Sequence, residues 1–257
     1  MHLDSKATTL STSSSISHKL DGLHDLHDCT DKLLQLPTEQ QALAQEGSGK
    51  CADDLLEGSL RLLDICTTAK DSLMQSKQSM GELRSIIRRR RGDETVFTIA
   101  RAKYLTSRKM MKKTIRKALE NLKAIKNEIT SSSSNKDNNT FSMLKEAEEI
   151  TLSSLESLLL FISDRNGGSK QSRWSTISKF VQPKRVACDS LESNTNEFQL
   201  VDASLQSLSS HEPSTIENFQ SHVENLEMCI NDLEIGVEQL SRKLVRNRVS
   251  LLNIFNH

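Results

Sequence analysis

Apolar residues recur every three or four positions through most of this chain, which is the spacing of one face of an α-helix. The longest such stretch before residue 200 runs from Ala52 to Arg90, with apolar residues at positions 55, 62, 66, 69, 73, 80, 83 and 87. The same spacing predicts helices over about Ser17 to Gln35, from Phe97 to Ile129, and over Thr140 to Ser163. A shorter helix begins at "PTEQQ" and is interrupted by "EGSGK".

The segment after Pro213 has the most regular pattern. Seven-residue repeats form two interleaved lines: Ile216, Val223, Ile230, Val237, Leu244 and Leu251, and Phe219, Leu226, Leu233, Leu240, Asn247 and Ile254. These heptads predict one helix ~60 Å long with a continuous apolar seam. β-branched residues at one seam position and leucine at the other suit a parallel dimer. Short connections between long helices instead favour packing within one chain. We expect the intramolecular bundle and a monomer, with a seam-mediated homodimer as the alternative.

Together these segments predict an all-α fold, an elongated antiparallel bundle of long helices with a heptad-patterned C-terminal helix. Aromatic residues make up only 4% of the chain, and strands are usually enriched in them. We predict a disordered Ser/Thr-rich N-terminus over residues 1–16 and a single helical bundle domain over residues 17–257. Within that domain, a basic stretch without periodicity predicts an exposed linker near residues 165–188.

Charge is balanced over the whole chain but not locally. Lys and Arg number 34, as do Asp and Glu, and aromatic residues that could stack on bases are few, which argues against nucleic acid as a partner. From Arg84 to Lys117, however, thirteen basic residues stand against two acids, Asp93 and Glu94. The rest of the chain must carry the opposite excess.

The cysteine and targeting signals indicate an intracellular protein. Five cysteines are scattered without a paired CxxC spacing, which suggests reduced thiols. No apolar run has the length of a membrane span, and the N-terminus lacks the apolar core of a secretory signal. We expect a cytoplasmic protein that is not secreted, with membrane association or a nuclear location as alternatives.

The chain contains residue types that are used in catalysis and metal binding, but not at the spacings that such sites require. "LHDLHDC" places His24 and His27 three residues apart, as in a metal-binding pair on one helix face, but no matching ligand pair follows. The chain also lacks a Gly-rich phosphate loop, a serine elbow and a suitably spaced carboxylate pair. We therefore predict no catalytic residue, no metal and no cofactor, and a protein that is not an enzyme.

The basic stretch contains a helix boundary and a candidate surface. In "RRRRGD", cations suit a helix C-terminus, glycine the next position, and aspartate the following N-cap. That pattern does not explain the basic residues further on, since a solvated face usually mixes charges. We predict an interaction surface made by Arg88, Arg89, Arg90, Arg91, Arg101, Arg108, Lys109, Lys112, Lys113, Arg116 and Lys117. An unidentified protein partner, an anionic membrane surface and a nuclear-import role are the alternatives.

The predicted linker contains a candidate regulatory site. In "SRWSTISKF", Arg173 precedes Ser175 and Thr176 in a basic setting. Phosphate there would offset positive charge. Ser175 and Thr176 are therefore candidate phosphorylation sites, with an ordinary serine-rich linker as the alternative.

Six stretches carry a family resemblance: "LHDLHDCTDKLLQLPTEQQAL", "LLEGSLRLLDICTTAKDSL", "LRSIIRRRRGDETV", "YLTSRKMMKKTIRKAL", "SRWSTISKF" and "LEIGVEQLSRKLVRNRVSLLNIF". Together they resemble the plant-specific Bypass-like family, long classed as a domain of unknown function. The resemblance implies a non-enzymatic plant protein with a role in root and shoot development or signalling, and no established ligand. We expect a helical scaffold or adaptor, with a peripheral membrane protein that binds anionic phospholipid through the basic hairpin as the alternative.

Overall fold

The structure is a computed structural model of the chain, and it describes residues 12–46, 50–89, 94–132, 140–164, 196–208 and 213–256. Seven α-helices contain nearly all of these residues, and no strand occurs within the described ranges. The helices are α1 (Thr12–Leu34), α2 (Pro37–Glu46), α3 (Lys50–Arg89), α4 (Glu94–Ser132), α5 (Thr140–Ile162), α6 (Glu197–Ser207) and α7 (Pro213–Phe255). The all-α prediction is confirmed.

The long helices α3 and α4 are antiparallel neighbours. Lys103 on α4 binds Glu82 on α3 at 2.6 Å, and Ser107, four residues further along α4, lies 3.3 Å from the side-chain amide of Gln75 on α3. Residue numbers on α4 therefore rise as those on α3 fall. The connection between them holds only a few residues, which is typical of antiparallel helices in a bundle.

The C-terminal helix α7 lies between α3 and α1 and runs in opposite senses relative to them. It is antiparallel to α3, because Lys77 Nζ lies 3.0 Å from Glu234 whereas Arg84, further along α3, lies 2.5 Å from Glu227. It is parallel to α1, where Asp28 pairs with Lys243 and the next turn places Asp31 3.6 Å from Arg246. Helix α3 is therefore antiparallel to both α4 and α7, whereas α1 and α7, from the two ends of the chain, run parallel.

The heptad seam of α7 lies in the core. Every seam residue from Phe219 to Leu244 is at most 2% exposed, and α1, α3 and α6 pack on this helix. At ~1.5 Å per residue, its 43 residues make a rod ~65 Å long. The seam's apolar contacts are made within the chain, as the intramolecular bundle requires.

One boundary differs from the sequence-based expectation. Helix α1 begins at Thr12 rather than Ser17, because Ile16 is 6% exposed and packs in the main core. Residues 12–16 are therefore helical rather than part of the predicted disordered N-terminus, whereas residues 1–11 lie outside the described ranges. The predicted linker near 165–188 also lies outside them.

Helix α6 was not predicted. Its first turn is closed by a capping box, in which Asn196 accepts a hydrogen bond from the Gln199 amide and the Gln199 side chain accepts one from Asn196. Phe198, Val201 and Leu205 follow at helical spacing and are buried. An Asn three residues before a Gln, ahead of this apolar repeat, is the sequence signal that would have located the helix.

Candidate interaction surface

Helix α4 carries eight Lys or Arg residues between positions 101 and 117, with no acid among them. The sequence alone makes all of them look like uncompensated charge. The structure separates them into residues that bind acids from distant parts of the chain and residues that stay on the surface.

Arg108 belongs to the interior. Its residue is 5% exposed, its Nε donates to Asp202 at 3.2 Å, and its Nη1 donates to the carbonyl of Ile162 at 2.6 Å. The guanidinium carbon also lies 4.4 Å from the centre of the Phe198 ring, an attractive cation–π geometry. The prediction that Arg108 contributes to an exposed surface is wrong, because its partners follow it by 54 and 94 residues and a local charge count cannot detect them.

Asp202 on α6 gathers two further donors from α4. Lys112 Nζ lies 3.3 Å from Asp202 and 3.4 Å from Asp164, and the Tyr104 hydroxyl donates to Asp202 at 3.0 Å. Burial, followed by the charge of Asp202, raises the pKa of Tyr104, so its hydroxyl keeps the proton that it donates. We call Tyr104, Arg108, Lys112, Asp164 and Asp202 the Asp202 anchor.

The anchor joins the end of α5 to the start of α6. Beside it, the Asn196 side chain donates to the Phe161 carbonyl at 3.0 Å, and the Phe161 and Phe198 rings meet edge to face with centroids 5.6 Å apart. Asp164, with φ of 59°, closes α5 in the left-handed conformation that Asp tolerates better than most residues. The last residues of α5 and the first residues of α6 are therefore held together against α4.

Four of these eight basic residues are exposed without an acid partner among the described residues. Lys109, Lys113, Arg116 and Lys117 are exposed, and none has an ion pair or a side-chain hydrogen bond to any other described residue. Residues three or four apart are neighbours on a helix surface, so these four side chains cover one side of α4. We call them the α4 basic surface. Arg101 is half-buried, nearer the core.

The arginines at the end of α3 do not join this surface. Arg88 and Arg89 are exposed, and Arg90 and Arg91 lie outside the described residues. Lys109 follows the start of α4 by fifteen residues, which is ~22 Å along the helix axis. The predicted surface is thus two separate features: a helix end and a basic stretch in the middle of α4. Ser175 and Thr176 lie outside the described residues.

Exposed apolar side chains accompany the basic residues of α4. Ile99 is 69% exposed and Met110 is 58% exposed. Met110 adjoins Lys109 and lies one turn from Lys113. The surface is therefore basic with apolar side chains beside it.

The histidine pair does not form a metal site. His27 is 4% exposed, its Nε2 lies 2.9 Å from the Thr151 hydroxyl, and its Nδ1 accepts a hydrogen bond from the Asn247 amide at 3.1 Å. Both ring nitrogens are thus occupied. Across the described ranges, no group of three or more His, Cys, Asp or Glu side chains is placed to hold a metal ion. No helix in the part of the chain that the structure describes is long and apolar enough to cross a membrane.

Comparison with known proteins gives one family. A family model described as Protein BPS1 matches residues 19–254, which includes α2 to α6, most of α1 and nearly all of α7. The comparisons with curated proteins and with solved structures give no match.

Proposed function

The chain belongs to the BPS1 family, and from that premise we propose that it is a non-enzymatic helical scaffold or adaptor in root and shoot development or signalling. It acts by binding an acidic partner protein through the α4 basic surface. The family resemblance supports the developmental role. The geometry of α4 supports the binding role.

The observation that carries this proposal is the division of charge on α4. Arg108 and Lys112 are compensated by Asp202 and Asp164, whereas Lys109, Lys113, Arg116 and Lys117 are not compensated by any described residue. Clustered cations on a rigid helix generate a local positive potential that steers and holds anionic partners. A partner with acidic side chains at matching helical spacing fits this surface.

The number of charges favours a protein over a membrane. Each basic side chain near an anionic bilayer contributes about 1 kcal/mol, so four of them give about 4 kcal/mol, which corresponds to roughly millimolar binding. A protein partner adds directional hydrogen bonds and apolar contacts to the same charges. Membrane binding is the second candidate, favoured by the exposure of Ile99 and Met110, which could insert among lipid headgroups.

Proximity labelling in the plant tests the protein interaction. The variant Lys113→Glu/Lys117→Glu reverses two charges of the α4 basic surface, and Lys32→Glu/Lys50→Glu reverses two exposed lysines on α1 and α3 as the matched control. We expect the wild type and the control to label acidic proteins that the α4 variant does not label. An identical labelled set for all three proteins would overturn the proposal.

Flotation with vesicles of neutral and anionic phospholipid, at low and high salt, tests the membrane candidate. Absence of binding to anionic vesicles at low salt would eliminate it. Salt-sensitive binding that Lys113→Glu/Lys117→Glu abolishes would support it.

A further inference from the structure

The side of the α3 and α7 pair that faces away from the core carries apolar residues at regular intervals. Five of them are 42–60% exposed: Leu60, Met74, Met228, Ile235 and Val249. Within each helix they are separated by seven or fourteen residues. Multiples of seven keep residues on one side of a helix that packs against another helix. These five residues, with Gly81, form what we call the α3–α7 face.

A groove runs along this face. It has a volume of about 780 Å³, and its lining includes Met74, Gly81 and Ile235. Its floor contains the ion pairs that join the two helices, Lys70–Glu238 and Lys77–Glu234. No described element covers the exposed side chains around it.

The contacts between α3 and α7 fix which of their residues lie at the same height along the helix axes, which we call a level. Met74 lies between Lys70 and Lys77, and Ile235 lies between the glutamates that bind those lysines, so Met74 and Ile235 share a level.

Two more levels follow from the neighbouring contacts. Arg248 donates to Ser59 at 2.8 Å, which makes Val249 and Leu60 level. The pairs of Lys77 with Glu234 and of Arg84 with Glu227 bracket Gly81 and Met228, which are therefore level as well.

We propose that the α3–α7 face binds the same face of a second copy of this chain, with the two-fold axis along the groove. Such an axis places α3 of each copy over α7 of the other without changing the level of any residue. Met74 then meets Ile235 of the second copy, and Leu60 meets Val249 of the second copy. Four of the five apolar side chains on the face thereby gain an apolar partner.

At the third level, the sizes of Met228 and Gly81 are complementary across the proposed dimer. Gly81 has no side chain, and a Cβ built on it would have no atom within 4 Å. Met228 is the most exposed of the five apolar residues, at 60%. Under the same axis, Met228 of one copy projects over the open space at Gly81 of the other, so a large side chain meets a vacant position.

The charged residues that lie between the apolar levels are also complementary across the proposed dimer. The bridging lysines are all on α3 and the bridging glutamates are all on α7, so the axis places Lys70 and Lys77 of each copy over the glutamate row of the other. Asp64 is exposed on α3, and Arg242, which lines the groove and is 74% exposed, is nearly level with it on α7. They too become opposed across the dimer. This self-complementarity is what favours a second copy over an unrelated helix.

The size of the face fits a weak, reversible dimer. From Leu60 to Gly81 it extends ~32 Å along two helices that are together ~20 Å wide, or roughly 600 Å² before surface relief. That is the lower end for a specific interface, which buries about 600–1,000 Å² per partner. The expectation of a monomer concerned the heptad seam, which is buried; the α3–α7 face is a separate surface.

Sedimentation equilibrium of the full chain over a range of concentrations tests the proposal. Met74→Glu/Ile235→Glu places carboxylates at the centre of the face, and Met110→Glu/Ile99→Glu makes the same two changes at exposed positions of α4. We expect a concentration-dependent dimer in the wild type, unchanged by the α4 control and weakened at least about tenfold by the α3–α7 variant. A monomer at every concentration, or equal dimerisation of both variants, would overturn the proposal.

Cross-linking tests the orientation independently of affinity. In a chain whose Cys29, Cys51 and Cys188 are serine, a Met74→Cys protein is mixed with an Ile235→Cys protein and oxidised. The proposed axis predicts disulfides between the two variants, with few in either variant alone. Cross-linking confined to Met74→Cys alone would show an axis across the groove, and equal cross-linking of Met110→Cys would show random collision; either result rejects the arrangement.

Discussion

The carboxyl group of Glu148 on α5 packs directly against the backbone of Gly58 on α3. A Cβ at residue 58 would overlap that carboxyl group, so the Glu148 side chain occupies space that a larger residue at position 58 would fill. The same contact places Glu148 in a site of low polarity. Burial raises its pKa from 4.5 to about 7, although Arg61 and Lys145 act in the opposite direction.

We predict that Glu148→Gln stabilises the protein at neutral pH. Below pH 4.5 the carboxyl group is protonated in both the folded and the unfolded chain; as pH rises toward about 7, the unfolded chain ionises first and stability falls. Removing this effect should raise the free energy of unfolding by about 2 kcal/mol above pH 7. Urea denaturation measures it, with the exposed neighbour variant Glu149→Gln as the control. Equal stability of Glu148→Gln and wild type above pH 7 would contradict the assignment.

His27 responds to pH in the opposite sense. Burial, and then the charge of Lys243, lowers its pKa from 6.5 to about 4. The neutral ring donates from Nε2 to Thr151 and accepts from Asn247, the only polar residue in the α7 seam. A proton on Nδ1 would remove the acceptor that Asn247 uses.

We predict that acid destabilises the protein through His27. Above pH 6.5 the ring is neutral in both states; as pH falls toward 4, the unfolded chain binds the proton first, so the contribution of His27 to stability decreases by about 3 kcal/mol across that window. His27→Gln should lack this component, whereas His24→Gln should retain it. Urea denaturation midpoints of wild type and His27→Gln are compared at each pH in this window. Both proteins retain Glu148, so its contribution cancels in the difference. Parallel pH profiles for wild type and His27→Gln would refute the prediction.

We predict that Arg108 is a structural residue. Arg108→Ala removes the guanidinium donors to Asp202 and to the Ile162 carbonyl, and breaking a buried ion pair costs about 3–5 kcal/mol. Arg108→Lys should not restore stability, because one ammonium group cannot reproduce the fork that reaches both acceptors. Lys109→Ala, on the adjacent exposed residue, should change the unfolding free energy by less than about 0.5 kcal/mol. Similar losses for Arg108→Ala and Lys109→Ala would contradict the division of charge on α4.

The helices and the family were predictable from local information. Heptads in α7 and three-to-four spacing in α3 located these elements within a few residues, and the resemblance carried by six stretches was confirmed by the family match over residues 19–254. Helix α6 is short, with 11 residues, and most of its stabilising contacts come from packing against other helices. Short elements of this kind give a weak periodic signal.

The candidate surface was less predictable, since burial of a charge depends on partners far along the chain. Arg108 does stand in line with the apolar stripe of α4, four residues after Tyr104 and three before Met111, but nothing nearby shows why Arg108 and Lys112 find acid partners and Lys109 and Lys113 do not. The difference is that α6 brings Asp202 over one side of α4, and this follows from tertiary packing. The α3–α7 face escaped prediction for the same reason, because the level of Met74 with Ile235 is set by ion pairs between residues 157 and 168 positions apart.

The binding role of the α4 basic surface is tested most directly by lysine footprinting of the full chain, purified and in extract from its native tissue. Acylation rates at Lys109, Lys113 and Lys117 are compared with those at Lys32 and Lys50, which serve as internal standards on other surfaces. We predict that the extract slows acylation of the three α4 lysines relative to the two standards, and that Lys113→Glu/Lys117→Glu removes the protection of Lys109. Equal relative rates with and without the extract would contradict the assignment of this surface as the binding site.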